Sequence, residues 1–339
     1  MSLVLNTVSA IQLCAGCTVE FEPMDTLGAA EDPAGVGIFA DVLKIGDQGY
    51  LVSSGVLGGV VIVYDAEGRY QRELTREGDG PGELRSPPQF AMGSGGIVLL
   101  PPASSALHLY SSDLQFNKTF QVPGIARAIG FDPVTEGWLV SYFGAGDGSE
   151  FGILLVDQGG DVVRALRAAR ESLSLGSAAA DVMRAADGTI WVATNAGIVE
   201  AFDQDLGLLG SLRLELPGMD ERDPRAGPGG APAAVYDIRR APDGTGVWVF
   251  AFAPVVSLSD LLDELMESRG RPPDFERLLD TFIYSVRMDP SGLTLVGRDQ
   301  LDTLVRPLGD GELAYDLVDT PDGNRRVRVG RIRFANGSG

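Results

Sequence analysis

Along this chain, apolar and polar residues alternate in short runs, and the runs are separated by turns rich in Asp and Gly. A period of two is the mark of a strand with one face buried. One arrangement recurs: an alternating run, a turn, then a second alternating run. It stands at 62–74 (IVYDAEGRYQREL), 108–120 (HLYSSDLQFNKTF), 154–166 (LLVDQGGDVVRAL), 200–212 (EAFDQDLGLLGSL) and 285–297 (SVRMDPSGLTLVG). Aligned on the first turn residue, the copies fall at Asp65, Ser111, Asp157, Asp203 and Asp289. The first three intervals are 46 residues each, and the fourth is 86, one repeat plus an insertion of 40. A further 46 residues lands on Ala335, directly after the alternating run RVRVGRIRF at 326–334.

Each copy follows two more short β-runs. The nearer ones lie at 49–54, 96–101, 137–143, 189–194, 247–253 and 312–318, and the farther ones at 39–46, 89–95, 126–132, 179–185, 234–240 and 304–310. That makes six units of four strands, at about the blade length of a β-propeller. The sixth unit lacks its outermost strand, and TVEFEPMDTLG at 18–28 has the alternation to supply it. The spacing therefore predicts an all-β fold: a six-bladed β-propeller of four-stranded antiparallel blades, closed by an N-terminal strand. A sandwich or solenoid is the competing architecture. A solenoid would not leave its last unit one strand short with a spare strand at the other terminus. Residues 1–17 are read as a flexible N-terminal segment and 18–335 as one propeller domain with an insertion at 254–281.

The insertion carries a helical pattern. In SLSDLLDELMES, Ser257 and Asp260 resemble a capping box; Leu261, Leu262, Leu265 and Met266 share a face, and Gly270 follows as a stop. A second short helical turn is expected at 274–282. Together they predict a helical insertion in blade five, acting as a lid, a partner surface or a plug. The Pro- and Gly-rich loop 217–233 makes up the rest of the excess.

Composition narrows the function. Apolar residues make up 44% of the 339, enough for a sizeable core, and no run approaches the ~20 apolar residues of a membrane span. A net charge of −20 repels phosphate backbones and anionic lipid, which argues against nucleic acid and membrane surfaces as partners. Lys44 and Lys118 are the only lysines. Cys14 and Cys17 stand in the run LCAGC, and His108 is the only histidine, so a four-ligand zinc site has too few donors. The cysteine pair reads as a local disulfide, as a redox CxxC without βαβ context, or as a loose lipoprotein-type cleavage site with Cys17 lipidated, although residues 1–13 lack a basic leader region.

The run EGDGPGELRSPP at 77–88 resembles the GxGPGEF segment that follows the first blade in bacterial six-bladed, NHL-like propellers, with Leu84 where phenylalanine is usual. The resemblance implies a propeller and an extracytoplasmic location: periplasmic, secreted or lipid-anchored. It implies little about activity.

In propellers the first strand of each blade lines the axial channel. The fourth-to-first and second-to-third loops gather on one face, where ligands bind. Three features map there: loop 76–88 with Asp79, Glu83 and Arg85; the insertion in blade five; and Asp41, Gln89, Arg127, Asp181, Asp237 and Arg306 near the starts of first strands. Asp41, Asp181 and Asp237 are candidates to hold Ca²⁺ through oxygen ligands. Equally, Arg127 and Arg306 would neutralise them as a solvated polar channel. His108 sits on a third strand, and no GxSxG elbow is present. The reading favoured by these features is a non-catalytic binding propeller for a protein, peptide or glycan. The alternative is a calcium-dependent hydrolase or lactonase with a carboxylate base.

Overall fold

The computed structural model describes residues 6–7, 17–29, 36, 40–54, 58–145, 150–167, 179–217, 233–242, 244, 246–255, 278–309, 312–320 and 324–336. They form six sheets, each built on an antiparallel blade of four strands that follow chain order from the axis outwards in all but blade six. Blade one is Val42–Ile45, Gly49–Ser53, Val61–Tyr64 and Tyr70–Glu73. Blade two is Gln89–Gly93, Gly96–Leu100, Ala106–Tyr110 and Phe116–Gln121. Blade three is Ile125–Asp132, Gly137–Ala145, Glu150–Val156 and Val162–Arg167. Blade four is Ala179–Arg184, Ile190–Thr194, Ile198–Phe202 and Leu208–Arg213, with Asn6–Thr7 added in parallel to its outer edge. Blade five is Ala234–Arg240, Gly246–Pro254, Leu279–Asp289 and Gly292–Leu301. Blade six is Arg306–Pro307, Leu313–Asp319 and Arg325–Asn336, completed by Cys17–Leu27.

The sequence explains which strands lie deep. Second and third strands are sandwiched between neighbouring blades on both faces. They therefore run mostly apolar, as in Gly49–Ser53, Val61–Tyr64 and Ile198–Phe202, which are buried throughout even where Glu200 stands among apolar neighbours. Fourth strands reach the rim, and Tyr70–Glu73 is mostly exposed. The core is thus a set of seams between blades. One seam joins Leu51 and Val61 of blade one to Leu99 and Tyr110 of blade two, with Leu84 of the connecting loop between them.

The repeated turn is built by its first residue. Asp65 Oδ1 accepts the N–H of Arg69 at 2.9 Å, while the N–H of Gly68 donates to the Asp65 carbonyl at 3.0 Å. The fourth position is left-handed in four blades, at Gly68, Leu114, Gly160 and Leu206 (φ 75°, 61°, 81° and 61°). Leu114 and Leu206 bear the strain of that conformation and bury their side chains in inter-blade seams.

Ring closure is as the spacing predicts. Cys17–Leu27 pairs antiparallel with Arg325–Asn336 along nearly its full length. Gly330 permits the contact, because a Cβ there would lie 2.4 Å from the Glu22 carbonyl oxygen. At the far end of the closing strand, Leu27 packs with Tyr64 of blade one and Tyr315 of blade six, and the Gly28 N–H donates to the Gly68 carbonyl at 2.8 Å. One strand therefore ties the last blade to the first.

The helical insertion expected in blade five is not supported. No helical element stands among the described residues, and Leu279–Phe282, expected in a helical turn, are strand. They pair with Ala251–Pro254 and extend the central hairpin of blade five. Leu279, Thr281, Phe282 and Ile283 are buried, so two-sided packing against neighbouring blades overrides the local helical pattern. Ser257, Asp260, Leu261, Leu262, Leu265, Met266 and Gly270 lie outside the described residues, as do Cys14 and 218–232.

Candidate functional site

First strands define a common register around the axis. Hairpin hydrogen bonds from Gln48 to Ile45, from Gly188 to Ala185 and from Gly244 to Ala241 mark the same turn position in blades one, four and five. Counting back four residues from each turn places Asp41, Asp181 and Asp237 at one level. Strand pairing puts Gln89, Ala128 and Arg306 at that level in the other three blades.

This level walls a cavity of about 280 Å³ at the channel mouth, on the face of the fourth-to-first and second-to-third loops. Asp41, Gln89, Asp181, Asp237 and Arg306 all line it, as the sequence suggests. The remaining walls are largely aromatic and aliphatic, with Tyr236, Phe252, Tyr315, Leu279 and Leu304 prominent. Tyr236 stacks on Phe252 at 5.9 Å with a 27° interplanar angle, and its hydroxyl donates to the Val305 carbonyl. The Tyr315 hydroxyl and Arg306 Nη1 both donate to the Ala40 carbonyl, at 3.1 and 2.8 Å.

The carboxylates differ in how they are satisfied. Asp41 accepts the N–H of Val42 at 2.9 Å and, across the blade seam, the N–H of Phe90 at 3.0 Å. Asp181 repeats this with Val182 at 2.8 Å and Ile238 at 3.1 Å. Asp237 has neither kind of donor. Its Oδ2 is held by Arg239 Nη2 at 2.8 Å, and its Oδ1 is buried with no partner. Burial raises all three above the usual carboxylate range, against backbone N–H groups and guanidiniums that pull Asp41 and Asp181 back down. Asp237 is raised well above that range, because desolvation is reinforced by the charges of Asp181 and Asp41 and by the adjacent Asp181 carboxyl, which favours its protonated form, against the pull of Arg239.

Arg239 is the residue that sequence reasoning missed. It bonds Asp237 and lies 3.8 Å from Asp181, so it and Arg306 are the neutralising cations. Its signal was available, since it stands two residues after Asp237 and so on the same side of the strand. Arg127 is not among the lining residues. It occupies a β-bulge between Ala126 and Ala128, which makes Ala128 the true counterpart of Asp41. A three-carboxylate calcium site does not fit this arrangement. Among the described residues no three Asp, Glu, His or Cys side chains gather closely enough to hold a metal ion, and a guanidinium already bridges two of the three carboxylates.

Loop 76–88 is placed elsewhere. Arg85 pairs with Asp79 in solvent, and the Glu83 carboxylate accepts the Gly80 N–H at 2.9 Å. The Tyr110 hydroxyl donates to the Gly82 carbonyl at 3.0 Å, and Leu84 is 2% exposed. The loop is a self-bonded turn that seats blade one on blade two, and Asp79, Glu83 and Arg85 do not reach the cavity. His108 lies on a third strand with Thr119 Oγ1 3.3 Å from its Nδ1, and burial lowers its pKa.

No family model and no curated relative matches the chain. Solved structures do resemble it. A candidate exported protein from Bacteroides fragilis is 9% identical, with 97% of this chain and 98% of that one covered at a TM-score of 0.56. A protein of unknown function from Bacteroides caccae is 13% identical over 81% of each chain at 0.46, and the WD40 β-propeller domain of Doa1 is 11% identical over 92% and 97% at 0.46. At such identities the likeness shows the fold alone. The chain is a six-bladed β-propeller.

Proposed function

We propose that this chain is a binding propeller of the NHL-like kind, working outside the cytoplasm, which takes a hydrogen-bond-donating group of a peptide or protein partner into the channel mouth. The observation that carries the reading is the unpartnered Asp237 Oδ1 in a cavity that joins this polar level to aromatic and aliphatic walls. Pockets of this make-up bind through apolar contact and orient their ligand through a few polar groups. A buried acceptor without a donor costs about 1–3 kcal/mol, which an incoming donor recovers. The carboxylates favour an ammonium or guanidinium, and a volume of about 280 Å³ suits one or two side chains. The extracytoplasmic placement is supported by the GPGEL segment and by the exported character ascribed to the Bacteroides fragilis neighbour. No described helix is long and apolar enough to cross a membrane.

The test is calorimetry with two capped tripeptides, Phe-Lys-Phe and Phe-norleucine-Phe. The lysine peptide should bind more tightly. Its advantage should fall with salt, disappear in Asp237→Asn, and grow as pH rises through the raised carboxylate pKa values, because only the ionised carboxyl pairs with ammonium. Equal binding of the two peptides to the folded protein overturns the reading.

A further inference from the structure

Below the carboxylate level the channel reverses its charge. Counting three residues further along the same first strands reaches Lys44, Arg184 and Arg240, each immediately before the marked hairpin turn. The three cations therefore stand in the same blades, one, four and five, as the three carboxylates, displaced by about 10 Å along the strand. The other blades contribute Met92, Phe131 and Gly309 to this level, none of them charged.

The cations line a second chamber of about 450 Å³, which reaches the hairpin face through Ser94, Pro133 and Gly309. Lys44, Arg184, Arg239 and Arg240 all line it, and among the described residues Asp41 is the one carboxylate that does. In a chain with 47 acidic and 27 basic residues this is an inversion of the prevailing charge. The commitments of the four cations separate them. Arg184 is held by buried Asp132 at 3.1 Å and by the Gly188 carbonyl at 3.1 Å, and Arg239 by Asp237 and Asp181. Among the described residues neither Lys44 nor Arg240 takes part in an ion pair, and Arg240 Nε is buried with no partner. The turn carboxylates Asp47 and Asp187 lie beyond this level and do not line the chamber.

We infer that the lower chamber is a site for a small oxyanion, a phosphate or carboxylate group held by Lys44 and Arg240 in a channel with apolar walls. Lysine supplies a point charge and arginine a planar fork of donors, a combination that suits either anion. The chamber adjoins the channel-mouth cavity and shares Asp41, Phe90, Ile129 and Arg239 with it, but the proposal does not rest on what binds there.

Calorimetric titration of the full chain with pyrophosphate and, separately, with citrate tests this. At least one anion should bind saturably with one site per chain, more weakly as salt is added. Lys44→Gln and Arg240→Gln should each weaken binding by about tenfold or more, as expected for loss of a charge-assisted bond, while Lys44→Arg retains it. Pyrophosphate binding alone assigns a phosphate-bearing ligand, and citrate binding alone a carboxylate. Thermal melts confirm that each variant is folded. Failure of both anions to bind the folded wild-type protein, or binding that persists unchanged in the Lys44→Gln/Arg240→Gln double variant, overturns the proposal.

Discussion

Asp41 accepts the N–H of Phe90 across the seam between blades one and two at 3.0 Å. Asp41 and Asp181 each take a donor from the next blade, Phe90 and Ile238 respectively, one residue past the shared carboxylate level. In blade six that residue is Pro307, one past Arg306, and proline has no N–H. The other usual donor, the N–H of Ile238, is already spent on Asp181. Two consecutive blades carrying Asp at this level, followed by a blade carrying Pro, leave a single orphaned oxygen at the mouth of the channel.

Pro307→Ala restores that donor. A hydrogen bond to the ionised carboxylate favours it, so the raised pKa of Asp237 should fall. Carboxyl-carbon NMR titration of wild type and variant measures it. An unchanged Asp237 titration would mean that the missing N–H is not what leaves this group exceptional.

Glu200 should make the propeller less stable as pH rises. It is 1% exposed on the third strand of blade four, its Oε2 has no partner, and burial pushes its pKa up to about 8. The folded state holds this proton more tightly than the unfolded chain, whose glutamate titrates near 4.5. Stability is therefore full below about pH 4.5, falls between there and about pH 8, and levels off above. Glu200→Gln removes the ionisation and should stabilise the protein at pH 8.5 by up to about 4 kcal/mol relative to its effect at pH 4.5. Urea unfolding at the two pH values tests this, and an identical effect at both would refute it.

The closing strand offers a point test of the ring. A side chain at Gly330 would meet the Glu22 carbonyl at 2.4 Å and the Phe21 ring at 2.7 Å. Gly330→Val should prise Cys17–Leu27 from blade six and cost about 3 kcal/mol or more. Thermal melting should show a clear drop, whereas Gly244→Val, at an open turn position where only φ is strained, should cost less. Equal losses would show that the closing contact is not a principal support of the ring.

Arg184 and Asp132 form a buried pair across the seam between blades three and four, at 3.1 Å and with 6% and 0% side-chain exposure. Asp132 also accepts the N–H of Val134 at 3.0 Å and the hydroxyl of Thr135 at 2.6 Å. Arg184→Met strands the carboxylate and should cost about 3–5 kcal/mol, while the double change Arg184→Met/Asp132→Asn recovers much of that loss. A double-mutant cycle in urea measures the coupling, and additive losses would show that the pair is not coupled.

The fold was legible because its determinants are local and repeated. Alternation at 62–74 and its copies marks strands, Asp65, Asp157 and Asp203 build the same turn, and the 46-residue interval counts blades. Even ring closure could be read, because the sixth unit lacks a strand and 18–28 alternates. The level of Asp41, Asp181 and Asp237 followed from strand position alone. The tertiary structure decided which groups those carboxylates meet. Register between blades depends on bulges such as the one at Arg127, and a shift of one residue exchanges Arg127 for Ala128 at the channel. The same register gives the Ile238 N–H to Asp181 and carries Arg239 between two carboxylates. Leu279–Phe282 became strand for a related reason: their helical periodicity is a local preference, whereas pairing with Ala251–Pro254 and burial between blades are contributed by residues distant in the chain.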